Sequence, residues 1–166
     1  MKKLLLLLAI IITSAVAKSQ TLNWHLSAQA GTANYQFENF EGSFLAGFKS
    51  EAGQELSVGP VVKGYYMDNH SNNMLGARIY SQAKLFNSFS VYMQCDVFGG
   101  VPSQTLSSTR SPMRLETGAG LNFTFQEKFG VSAGCNIGAL DPISNVRKNT
   151  PSVKLIYLMP FAKRGW

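Results

Sequence analysis

Few side chains in this sequence could carry reaction chemistry, and their spacing suits it poorly. The candidates for nucleophilic or metal-binding work are two histidines, His25 and His70, and two cysteines, Cys95 and Cys135. A Ser/His or carboxylate-assisted hydrolase needs a histidine beside its nucleophile and a third group to orient it. His70 stands in Asp68-Asn69-His70-Ser71, a mixture that polar turns produce often. His25 opens an alternating segment on that segment's polar face, which suits a packed interior residue. Gly118-Ala119-Gly120 lies within a strand pattern and not ahead of a helix, so it is no cofactor loop. Metal-ligand spacings and nucleophile elbows are missing from the sequence. The expectation is a non-enzyme without cofactor or bound metal.

The residues that do recur at meaningful spacing are charges, and they are set by strands. Eight segments alternate with period two, at about 22–36, 43–52, 56–68, 74–85, 89–100, 112–125, 129–140 and 151–161, bounded by Gly, Asn, Ser, Pro and Asp. Most are longer than the ~5–6 residues usual for soluble strands and match the ~9–11 of a tilted transmembrane strand. The links alternate strictly between short and long. Gly53-Gln54-Glu55, Phe86-Asn87-Ser88 and Gln126-Glu127-Lys128 are tight turns, while 37–42, 69–73, 101–111 and 141–150 are longer. Short periplasmic turns and longer external loops are the habit of outer-membrane barrels. The fold class expected is all-β, an eight-stranded antiparallel up-and-down transmembrane barrel with both ends periplasmic.

One face of every segment is free of charge. It carries Trp24, Phe44, Phe48, Val58, Leu75, Ile79, Phe89, Leu115, Phe123, Phe129 and Phe161, with aromatics crowding the segment ends. Cys95 and Cys135 lie on this face two strands apart, roughly 10 Å at ~4.8 Å per strand. That exceeds the ~7 Å limit for a bridge, so both read as small hydrophobes. The opposite face holds the charges, and Asp68 at a strand end is the one departure. A soluble lipocalin-like barrel would put the apolar face inside. The girdle-like aromatics and the mixed signs of charge favour lipid outside and a paired interior.

If Leu85 pairs with Phe89, Arg78 faces Asp96. Buried charges persist only when paired, which predicts an interior cluster of Arg78, Asp96, Arg114, Glu116 and Lys154 in the outer half. A second cluster, Lys49, Glu51, Lys63 and Lys84, is expected nearer the periplasmic end. Glycines on the polar face (Gly118, Gly120, Gly130, Gly134, Gly138) leave room for Arg78, Tyr80, Tyr92 and Arg114 from other walls. Mid-strand Pro60 lacks a ladder donor in a barrel with no free edge, which predicts a bulge.

Residues 1–17 read as a cleaved signal peptide: Lys2-Lys3, an apolar run from Leu4 to Ile12, and Ala15-Val16-Ala17. The barrel domain is then 18–166, with thirteen Lys and Arg against nine Asp and Glu. Basic residues do not cluster with interleaved aromatics, so no nucleic-acid partner is expected.

The last segment, Val153-Lys154-Leu155-Ile156-Tyr157-Leu158-Met159-Pro160-Phe161, looks like the C-terminal insertion signal of outer-membrane barrels, extended by five residues to Trp166. With eight strands and a charged interior, the chain resembles the small barrels typified by the OmpA membrane domain and OmpX. That resemblance implies a Gram-negative outer membrane, assembly by its insertion machinery and contact with its lipids. The function expected is a filled barrel with a structural or interaction role, not a large-solute porin. A modest extracellular or envelope partner could bind the external loops. The alternatives are a lipid- or ligand-modifying barrel and, third, a soluble exported one.

Overall fold

The computed structural model describes residues 22–32, 39–50, 52–67, 70–100, 114–125, 128–140 and 147–160. The signal peptide, Asp68 and Phe161 lie outside them. Eight strands run in chain order: β1 Leu22–Thr32, β2 Asn39–Ser50, β3 Glu55–Met67, β4 His70–Phe86, β5 Phe89–Gly100, β6 Arg114–Phe125, β7 Phe129–Leu140 and β8 Arg147–Pro160. Each pairs antiparallel with its sequence neighbours, and β1 pairs with β8 to close the barrel. Closure pairs His25–Thr32 with Val153–Pro160 and so leaves the sheet without a free edge strand, and chain-order pairing keeps every connection local.

Strand ends differ from the sequence reading in informative places. β2 begins at Asn39, four residues early, because the outward alternation of Phe44, Ala46 and Phe48 extends back through Gly42 to Phe40. β4 begins at His70, so β3 and β4 are joined by two residues only. The strict alternation of short and long links fails there. Ser71, Asn72 and Asn73 read as loop by composition, yet their backbones pair with Tyr66, Tyr65 and Gly64. Strand preference is set by such pairing more than by residue type.

Pro60 is not bulged. β2 and β3 keep one register from Asn39↔Tyr65 to Lys49↔Glu55, and the ladder skips only Phe44–Leu45 against Gly59–Pro60. The missing donor is absorbed by losing a rung, helped by Gly59, where a Cβ would strike the Phe44 carbonyl. Register shifts occur instead at Lys84/Phe86, leaving Leu85 unpaired, and at Asn136/Ala139. The β4–β5 hairpin closes through Asn87 at φ 41°, a left-handed conformation that Asn tolerates.

The barrel is apolar outside and polar inside. Leu155 is 66 % exposed and Trp24 58 %, whereas Arg78 and Asp96 are fully buried. Around the turn end runs a chain of outward rings, Phe86–Phe89–Phe123–Phe125–Phe129–Tyr157, with neighbouring centroids 5.0–6.4 Å apart. Trp24 and Phe48 meet in a tilted contact on β1 and β2, with ring centroids 3.9 Å apart. Buried apolar side chains gather inside the barrel in two groups. Val61, Tyr65, Met74 and Phe98 pack together toward the loop end, and Leu45, Tyr80 and Tyr92 form a second apolar group. Eight strands enclose only enough space for such side chains.

Candidate functional site

Every strand contributes at least one polar residue to the interior core. Taken one per strand, these are Gln29, Glu41, Lys63, Arg78, Asp96, Glu116, Asn136 and Lys154, from β1 to β8 in order, and each is buried. The inward parity of each strand and the constant registers bring them together. Three cations meet three carboxylates.

Arg78 is held by Asp96 through two bonds, Nε to Oδ1 and Nη2 to Oδ2, both at 2.7 Å. Its Nη2 also donates to Glu41, and its Nη1 donates to Gln29 Oε1 at 3.1 Å and to Ser43 Oγ at 3.3 Å. Lys63 bonds Glu116 and lies 3.6 Å from Glu41 and 3.8 Å from Asp96. Lys154 reaches Glu41 at 2.9 Å and donates to Gln94 Oε1 at 2.5 Å. Two rings add to this: Lys63 stands 4.8 Å over Phe98 and Lys154 5.7 Å over Tyr92. Moving each ion out of water costs several kcal/mol, which only such dense pairing offsets.

Of the residues expected in an outer cluster, Arg78, Asp96, Glu116 and Lys154 meet. Arg114 does not join them: it is half-buried, with Nη1 3.6 Å from Met74 Sδ. Among the described residues the second expected cluster does not assemble. Lys63 belongs to the first, because β3 runs toward the loop end and carries it level with Glu41. Lys49 is half-buried at the end of β2. Lys84 is exposed and lies along the turn at Gly53, whose φ of 79° needs glycine. Glu51 lies outside the described residues. Sequence reasoning missed Glu41 altogether, because 37–42 reads as a loop. The signal that finds it is its two-residue step from Ser43, opposite in parity to Phe40 and Phe44.

The turn half holds a neutral network and a histidine. Tyr80 Oη donates to Gln82 Oε1 at 2.9 Å and accepts from Asn122 Nδ2 at 2.5 Å. His25 Nε2 lies 2.9 Å from Glu55 Oε1 and 3.2 Å from Ser57 Oγ. These are the residue types of a hydrolytic triad without its geometry. A nucleophilic serine gives its proton to one ring nitrogen while the carboxylate holds the other. Here both partners share Nε2, Ser57 donates to Glu55 at 2.9 Å, and Nδ1 has no partner among the described residues. The arrangement packs a histidine and does not prime a hydroxyl. Among the described residues no group of three or more His, Cys, Asp or Glu side chains could hold a metal. Cys95 and Cys135 are free thiols on β5 and β7, with β6 between them.

No protein-family model matches the sequence. No curated protein matches it either. A structure from de novo design of transmembrane β-barrels is similar at TM-score 0.51 and 12% identity, over 82% of this chain and 95% of that one. The N-terminal β-barrel domain of Pseudomonas aeruginosa OprF is similar at TM-score 0.41 and 11% identity, over 85% of this chain and 98% of that one. The chain has the fold of a small eight-stranded transmembrane β-barrel.

Proposed function

We propose that the protein is an integral outer-membrane β-barrel of the bacterial envelope, with a filled polar interior and a structural or interaction role. The observation that carries this is the inverted distribution of polarity. A barrel in water hides Leu155, Leu75 and Val58 and exposes its charges; this one exposes all three and buries Arg78, Asp96 and Lys63. The ring belt at the turn end supports the same reading, since amphipathic and aromatic side chains gather at membrane interfaces.

The partners on this reading are outer-membrane lipids along the apolar wall, the insertion machinery that recognises the alternating last strand, and an envelope or extracellular protein at the loop end. A porin role is disfavoured by the bonded core, which leaves Arg78, Lys63 and Lys154 all engaged by carboxylates. Fractionation of expressing cells with heat-modifiable gel migration tests the reading. Recovery in the detergent-extracted outer-membrane fraction, with migration that changes on boiling, is the expected result. Release without detergent would overturn it.

A further inference from the structure

Several buried polar atoms inside the barrel have no protein partner among the described residues. On β1 and β2 these include His25 Nδ1, Ser27 Oγ, Gln29 Nε2 and Glu41 Oε2, while a separate group meets at the Tyr92 hydroxyl on the wall formed by β6, β7 and β8. The members of that group are Tyr92 Oη, Asn122 Oδ1, Ser132 Oγ, Asn136 Nδ2 and Ser152 Oγ. Their side chains are all at most 2 % exposed.

The registers make these atoms neighbours. Ser132 pairs with Asn122 on one side, and Gly134 pairs with Ser152 on the other. Asn136 follows Gly134 on the same face of β7. Tyr92 comes from β5 and aims its hydroxyl onto this wall: a Cβ added to Gly134 would strike Tyr92 Oη, and one added to Gly120 would come within 2.8 Å of the Tyr92 ring. Glycine at both positions therefore admits a ring whose hydroxyl ends among serines and amides that it does not itself satisfy.

Tyr80 supplies the contrast. It stacks on Tyr92 at 5.7 Å and is equally buried, yet its hydroxyl is bonded to both Gln82 and Asn122. Leaving five polar atoms dry would forfeit a large part of the stability a domain of this size has. Buried polar groups without protein partners are normally bridged by internal water making about three hydrogen bonds each.

We infer that the wall of Ser132, Gly134 and Ser152 is a binding site for a small cluster of ordered waters, about two at three bonds each, held against the Tyr92 hydroxyl. The barrel interior is thus divided. The ion-paired core draws on β2 to β6 and β8, and the hydrated group lies beside it on the wall of β6 to β8. Lys154 stands between them, bonded to Glu41 and poised over the Tyr92 ring.

Radiolytic hydroxyl-radical footprinting on the intact barrel in nanodiscs tests this, because radicals made from bound water label the side chains that touch it. Tyr92 should be labelled at least tenfold faster than Tyr80, although both are hidden from bulk solvent. Tyr92 as protected as Tyr80 would overturn the inference. In a Ser132→Ala/Ser152→Ala variant with unchanged heat-modifiable migration, labelling of Tyr92 should fall at least threefold. Unchanged labelling there would show that these serines hold no water, and would overturn the site as assigned.

Discussion

Arg78 on β4 and Asp96 on β5 face each other in register and join as a two-pronged pair, with neither side chain reaching solvent. Removing one partner strands the other inside the barrel. Asp96→Ala should therefore cost about 3–5 kcal/mol of stability, and Arg78→Met a similar amount. The double variant should cost clearly less than the sum, because no unpaired member of the pair remains. Urea unfolding of the barrel in lipid vesicles measures all three. Strict additivity would mean that the two side chains do not act as a unit.

The same pair shows how far the sequence could be read. Tight turns count residues, so the register that sets Arg78 against Asp96 follows from the link between β4 and β5, even though Leu85 itself is left out of the ladder. Face polarity was equally legible, since period-two alternation survives any tilt of the strands. Glu41 was not: strand β2 starts among Asn39, Glu41, Gly42 and Ser43, residues that compose loops as readily as strands. Lys63 was placed on the right face but at the wrong height. Height depends on how far each strand slides past the next around the whole closed wall, a sum that no single hairpin contains. The bonds at Glu41, which gather Lys63, Arg78 and Lys154 from three strands, are products of that closure.

Glycines on the inner wall differ in what they admit. At Gly134 a Cβ would strike Tyr92 Oη and come within 3.0 Å of Gly120 Cα, so Gly134→Ala should destabilise the barrel by about 1–3 kcal/mol. Gly99 meets nothing closer than the Leu75 carbonyl at 4.0 Å, and Gly99→Ala should stay within about 0.5 kcal/mol of wild type. Adding Tyr92→Phe to Gly134→Ala should recover only part of the loss, because the backbone contact remains. Full recovery would assign the whole role of this glycine to the ring.

On the proposed reading the charged core fills the barrel. Glu41 engages Arg78, Lys63 and Lys154 together, while Tyr80 and Tyr92 stack at 5.7 Å beneath. Single-channel recordings in planar bilayers should show no large, steady conductance for the wild-type barrel, at any applied voltage that the bilayer survives. A stable large conductance would contradict the filled interior and return the porin reading.

The membrane reading makes its own demand on the outer surface. Leu155 lies on β8, is 66 % exposed, and faces away from the charged core that its neighbour Lys154 enters. If hydrocarbon covers this wall, Leu155→Arg places a charge in lipid and should cost about 2–4 kcal/mol. Leu85, 55 % exposed at the turn end of β4 beside the ring belt, offers a matched control at the interface. Leu85→Arg should cost less than about 1 kcal/mol, since the penalty fades toward the headgroups. In a barrel surrounded by water the order would vanish, because an exposed arginine is welcome at either position. Reversible unfolding in lipid vesicles reads both variants on one scale, and equal costs would place the apolar wall outside the hydrocarbon.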